Sequence, residues 1–233
     1  MTLLEIIREV CSRSGLLRPA VIMSSQDDMI LQMAALLNEV HTDLRTRLRW
    51  QALFAEASWS AVAAENQGTL ETLAPGLQLL VPETFFNRTA GLRYTPCLSP
   101  QEWADMRAMG LTPSYRFRIV AGTLRVFPTP AAGDSMAFEY RSNYAVRDSL
   151  GTPKAYFTQD SDTSVFLPEL LVLGLRWRWK AEKGFAYAEE MAAYERAVAE
   201  HGNLDAGGRS IAMDNCTQTG QPGIVIPTGN WSP

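Results

Sequence analysis

The chain has little of what enzymes and metalloproteins place at their sites. It contains two histidines, His41 and His201, and neither has partners at a spacing that makes an acid–base pair or a metal site. His41 reads as a solvated or capping residue of a helix. Three cysteines, Cys11, Cys97 and Cys216, are an odd number, far apart, and form no C-x-x-C. A disulfide framework and a zinc site are thereby disfavoured, and reduced thiols in a cytoplasmic protein are expected. No apolar run approaches the roughly 20 residues of a membrane span. The start, MTLLEIIREVC, interrupts its apolar residues with Glu5, Arg8 and Glu9, as an amphipathic helix does and a signal peptide does not. Lysine is nearly absent: Lys154, Lys180 and Lys183 are the only ones, so arginine supplies most of the positive charge. GC-rich codon usage is one cause, and enrichment of arginine at protein contacts is another.

Signature motifs are missing too. There is no G-x-S-x-G, H-E-x-x-H or P-loop pattern, and Gly207-Gly208 lacks the strand before it and the helix after it that a phosphate loop needs. Adjacent acidic pairs, Asp27/Asp28 and Glu189/Glu190, do not face each other on a helix and read as solvated faces. Asp160-Ser161-Asp162 has the character of a hard-cation loop, but no completing glycine and glutamate follow at loop spacing. The site expectations are therefore no catalytic residue, no cofactor and no metal. A net charge of −4 argues against a general nucleic-acid binder.

What is present is a building plan. Thr2 with Glu5 forms a capping box for a first helix carrying Leu3, Ile6, Ile7 and Val10 on one face, ended by Gly15 and Pro19. Ser25 is expected to cap a second helix, whose stripe Met29, Met33, Leu36, Leu37, Val40, Leu44, Leu48 runs to about Arg49. From Trp50 the period changes to two: Leu53, Ala55 and Ala57 alternate with Phe54, Glu56 and Ser58, and residues 59–63 are a candidate return strand. Turns are expected at Asn66-Gln67-Gly68 and Ala74-Pro75-Gly76. Ser99, Pro100 and Glu102 start a short helix over 99–109 that buries Trp103 and Met106.

Residues 115–144 read as a three-stranded antiparallel meander. Tyr115, Phe117 and Ile119 alternate with Arg116 and Arg118; Leu124 and Val126 alternate with Arg125 and Phe127; Met136, Phe138 and Tyr140 form a third apolar row. Ala121-Gly122 offers a tight reversal, and Pro128 with Pro130 stops the second strand. Residues 149–153 and 158–163 read as loops. Residues 167–183 form a helix apolar enough to be buried on most sides, Gly184 breaks it, and residues 185–201 form another with Tyr187, Met191, Tyr194 and Val198 in a row.

The resulting fold expectation is α+β. Helices at 1–49 and 165–202 pack as a bundle, and an antiparallel β domain at 50–164 is inserted between them. An extended C-terminal tail occupies 203–233. In the run from Arg176 to Lys180, Trp177 and Trp179 lie about 200° apart on a helix. Core packing with snorkelling arginine stems is the reading taken, over exposure for nucleic-acid stacking. The glycine-rich tail is either disordered or ordered by a partner; Trp231 favours the partner, and Ile224-Val225-Ile226 could extend a neighbour's sheet.

Several segments together resemble the head–tail adaptor (connector) proteins of tailed bacteriophages, the short-tailed type above all. They are LLEIIREVCSRSGL, RWQALFAEASWS, SPQEWADM, YRFRI-x-x-G-T-L-R-V-F-P-x-P-A-A-G, AFEYRSNY and LGLRWRWKAEKGFAYAEEMAAYERAVAE, in that order over residues 1–202. The resemblance implies a non-enzymatic virion protein, assembled in the host cytoplasm into a ring, dodecameric by analogy. The ring would dock beneath the portal, continue the DNA channel, and present a platform for tail or nozzle proteins. DNA would pass its lumen without sequence-specific binding. Candidate subunit, portal or tail contacts are Arg176, Arg178, Lys180, Ile224, Val225, Ile226 and Trp231. The alternatives are a tail-completion or neck protein that binds the tail rather than the portal, a DNA-binding module using Arg116, Arg118, Arg125 and the 176–180 run, and a virion hydrolase.

Overall fold

The structure, a computed structural model of the chain, describes residues 1–97, 99–109 and 115–205. It is α+β. Helix α1 spans Leu3–Arg13 and α2 Asp28–Arg47, followed by strands β1 Phe54–Ser60 and β2 Asn66–Thr69, the single-turn helix α3 Leu70–Leu73, and strand β3 Leu77–Leu80. Short strands β4 Phe86–Asn87, β5 Leu92–Arg93 and β6 Thr95–Pro96 lead to helix α4, Pro100–Met109. Then come β7 Arg116–Val120, β8 Thr123–Phe127, β9 Ser135–Ser142, β10 Val146–Arg147, β11 Pro153–Lys154 and β12 Thr163–Ser164. Helices α5 Pro168–Glu182 and α6 Ala188–Asp205 complete the described chain.

Local chemistry explains the helix starts. The Thr2 hydroxyl accepts from the Glu5 N–H at 3.3 Å and the Glu5 carboxylate accepts from the Thr2 N–H at 2.8 Å, which satisfies two N–H groups the first turn leaves open. The cap of α2 is Asp27, which accepts from Met29, and not Ser25; Ser25 instead accepts from the Asp27 N–H. An ionised cap also suits the helix dipole. At the start of α4, Ser99 Oγ accepts from the Glu102 N–H at 3.0 Å, Trp103 is buried and Met106 is half-buried.

Two apolar clusters organise the chain. In the first, α1, α2, α5 and α6 bring Leu3, Ile7, Val10, Leu37, Val40, Leu44, Leu171, Leu175 and Tyr194 together with Trp50, Leu53, Val146, Phe157 and Phe166. Helix α5 lies between the others, against α1, α2 and α6. Gly174 allows this approach: a Cβ there would stand 2.5 Å from Val40 Cγ1 and 3.0 Å from the Tyr194 ring. The second cluster joins Ala57, Leu80, Phe85, Met136, Phe138 and Tyr140 to Tyr94, Phe117, Leu124 and Val126.

The meander expectation fails at its third strand. β7 and β8 do form a hairpin, Val120 opposite Thr123, with Ala121 (φ 47°) and Gly122 (φ 72°) both left-handed as a type I′ turn requires. They pair with β2 and, in parallel, with β6. β9 leaves them for a second sheet, where Ser135 to Arg141 pair with β1 and its other side pairs with β3 and β4. Two prolines and the 131–134 turn separate β8 from β9, and β9 buries residues on both faces, as a central strand does. Asn66-Gln67-Gly68 is strand β2, not a free turn, and residues 61–63 do not pair back on β1. Residues 163–164, at the end of an expected loop, join a small sheet with β10 and β11. Residues 206–233, and with them Ile224, Val225, Ile226 and Trp231, lie outside the described residues.

Candidate assembly surfaces

The basic, aromatic run of α5 is ion-paired within the chain. Arg176 reaches Glu190 at 3.3 Å and Lys180 hydrogen-bonds the same carboxylate, joining α5 to α6. Arg178 reaches Glu39 at 3.4 Å and Asp43 at 3.5 Å on α2, and its guanidinium lies 4.9 Å from the Trp177 ring centre. Asp43 also accepts from the Tyr194 hydroxyl and pairs with Arg47, which reaches Glu195 at 2.6 Å. Glu190 is therefore not a purely solvated residue: the Lys180 ammonium holds its carboxyl below the usual range. Burial, then Asp43, pushes the Tyr194 hydroxyl upward. Solvent reaches most of these pairs, so each contributes about 0–1 kcal/mol and chiefly fixes helix orientation. Beside Arg178 an open polar groove of about 450 Å³ is lined by Asn38, Glu39, Thr42, Asp43 and Tyr156.

The basic row of the hairpin is also largely neutralised. Arg116 pairs with Glu102 at 3.5 Å and donates to Thr95. Arg125 and Arg107 both approach Glu65, at 3.5 and 3.2 Å. Arg118 is half-buried and has no ion pair among the described residues.

The two carboxylates of the Asp160-Ser161-Asp162 loop are structural. Asp162, fully buried, accepts from the Thr158 and Gln159 N–H groups at 2.7 and 2.9 Å and from Lys154 Nζ at 3.1 Å. Burial opposes its charge, but these donors prevail and hold the carboxyl below the usual range. Asp160 accepts from the Ile22 and Met23 N–H groups, both at 2.9 Å, and so fastens the α1–α2 connection. Both carboxylates of the suspected cation loop thus have protein partners, and no metal-holding cluster occurs among the described residues. His41 is buried rather than solvated: Nε2 lies 2.8 Å from Ser164 Oγ, with the Phe157 and Phe166 rings beside it. Desolvation, then Arg45, lowers its pKa to about 3. Its partners lie more than a hundred residues away in the chain, so no local pattern announces them.

Exposed apolar side chains gather at one end of the helices. Cys11 at the end of α1 touches Met33 near the start of α2, and Lys183 at the end of α5 donates to Gln32 at 2.7 Å. That end carries Leu17 (89% exposed), Leu31, Phe185 (56%), Tyr187 and Met191, whereas exposed Val21 and Met23 lie back beside the start of α1, where the Asp160 carboxylate holds the Met23 N–H and its carbonyl accepts from the Leu4 N–H. The expected buried row of α6 is thus only half right: Tyr194 and Val198 are buried, Tyr187 and Met191 are not. The helix begins at Ala188, so Tyr187 belongs to the turn, and the first turn of α6 extends beyond the core. The opposite end of the helices leads into the sheets: Gly202 abuts Leu48, and Asp205 binds Gln51, just ahead of β1.

A family model described as SU10 adaptor protein matches residues 1–214. The chain belongs to the SU10 adaptor protein family. No curated protein matches it. As a member of this family it is a phage structural adaptor and a virion component, the role its segments resemble. An adaptor acts through surfaces, so the exposed apolar helix end and the ion-paired α5 are the features to weigh. No helix among the described residues is long and apolar enough to cross a membrane.

Proposed function

We propose that this adaptor assembles as a ring, dodecameric by analogy with short-tailed phage connectors, that docks to the portal. The ring continues the DNA channel and offers the platform on which tail or nozzle proteins attach. In this reading the helices at 1–49 and 165–202 pack as a bundle and carry the docking contacts, while residues 50–164 project as the β part. Arg176, Arg178 and Lys180 border the subunit or portal contact, and Ile224, Val225, Ile226 and Trp231 contribute to it from the tail. The observation that carries the proposal is the exposed apolar end of the helices, in a chain whose family match covers residues 1–214. Apolar side chains clustered at one exposed pole mark a contact surface. Net acidity and paired arginines favour a channel wall that does not hold DNA. Sedimentation velocity of portal rings mixed with the chain is the test. Co-sedimentation is expected. A chain that leaves the portal boundary unchanged and instead binds isolated tails would be a neck or tail-completion protein.

A further inference from the structure

β1 is the outermost strand of its sheet. Its seven residues pair with β9 in unbroken register, and its other edge has no strand against it among the described residues. The remaining outer strands differ: β2 and β3 are four residues long with register shifts, and β5, β6, β11 and β12 have two residues each. β1 also lacks the usual edge protection of proline, lysine or a bulge. Its one charge, Glu56, is held by Arg88 at 2.7 Å. Helix α3 packs near β1 through Leu70 and Leu73, but no backbone bond from α3 to β1 occurs.

We propose that this free edge receives residues 223–226 from the tail of a neighbouring copy, added as one more strand. Ile224, Val225 and Ile226 are all β-branched and so favour a strand. Pro222 and Pro227 bracket them and limit the pairing to a short ladder. No charged side chain follows Asp214, so nothing in the segment repels Glu56. In a strand Ile224 and Ile226 share one face. Placed with Ala55, Ala57 and Trp59 they extend the second apolar cluster, and Val225 then falls on the face of Glu56, Ser58 and Ser60.

The length of the tail between its exit and the pairing segment suits the neighbour's edge. Asp205 is fixed to Gln51, three residues before β1 begins, so the chain's own edge is within a few residues' reach. The 17 residues from 206 to 222 extend up to about 60 Å. With Gly207, Gly208 and Gly220 they suit a crossing between subunits. The family match covers residues 1–214 and does not reach the pairing segment. The proposal rests on the ring reading for the identity of the neighbour.

Disulfide trapping in the full chain tests it, in a Cys97→Ser, Cys216→Ser background that keeps buried Cys11. Copies carrying Glu56→Cys, Ser58→Cys or Ser60→Cys are mixed with copies carrying Val225→Cys, oxidised mildly and run without reductant. One of the three mixtures should give a crosslinked dimer, and Ile224→Pro in the second copy should lower that band about tenfold. Portal collars are scored in parallel by electron microscopy. Collars without the band overturn the strand pairing and keep the adaptor. The band without collars keeps the pairing and contradicts portal docking; neither overturns both. A crosslink that forms only within single chains carrying both cysteines also overturns the proposal.

Discussion

Asp205 Oδ2 accepts the backbone N–H of Gln51 at 2.6 Å, so the last described turn of α6 is fastened to the entry of β1. One carboxylate thus joins the helical layer to the sheets and sets where the tail leaves. Asp205→Ala should cost about 1 kcal/mol, the net value of a hydrogen bond to a partly exposed charge, and lower Tm by roughly 2–4 °C. Faster hydrogen exchange at the Gln51 amide is the specific readout. Unchanged exchange there would show that the contact does not hold the junction.

His41 gives the protein an acid-sensitive core. Its folded pKa, about 3, lies below the usual 6.5, so the folded chain excludes a proton that the unfolded chain takes up. Its contribution is fully present above pH ~6.5 and is lost as pH falls toward 3. The depressed carboxyls of Asp148, Asp162 and Glu190 contribute stability above their ordinary values of 3.8, 3.8 and 4.5 and lose it only as pH falls through those values, at or below the foot of the histidine window. Between pH 6.5 and 4.5 stability should fall with a slope approaching about 1.4 kcal/mol per pH unit for this one proton. Urea titrations of wild type and His41→Leu across that window check it. A variant with the same slope as wild type contradicts the assignment.

Asp162 is the carboxylate that shapes the 154–163 loop and, through the Leu3 N–H bonded to its carbonyl at 2.8 Å, the start of α1. Asp162→Ala leaves two backbone N–H groups and a lysine without their acceptor. A loss of about 3 kcal/mol is expected, roughly 6–12 °C in Tm. Asp162→Asn, which retains one acceptor oxygen, should lose less. Equal losses would mean that packing, not the accepted hydrogen bonds, matters there.

Sequence reading succeeded where a few neighbouring residues decide the structure. The Thr2–Glu5 capping box, the Ala121-Gly122 turn and the Ser99 cap are all set within four residues. It failed where the partner is distant. The destination of β9 depends on β1, about eighty residues earlier, and the hairpin beside it gave a false neighbour. The burial of His41 depends on Phe157, Phe166 and Ser164. For α5 the apolar stretch was legible, and so was the mixing of arginine with tryptophan. The acidic residues that neutralise it come from α2 and α6 and share no pattern with it. The exposed helix end was illegible because Tyr187 and Met191 continue the spacing of truly buried residues past the limit of the core.

The apolar helix end separates stability from assembly. Leu17→Asp with Phe185→Asp places charge on side chains that are already mostly exposed, so stability should change by no more than about 0.5 kcal/mol per site. Co-sedimentation with portal rings should nevertheless be lost. Normal binding by the folded double variant would remove this end from the docking surface.

The most direct measurement is negative-stain electron microscopy of the wild-type chain with portal rings of the same phage. A symmetric collar of added density at the narrow end of the portal is predicted, and its rotational symmetry would give the subunit number. Portal rings that stay bare in the presence of well-folded protein would contradict the portal-docking account.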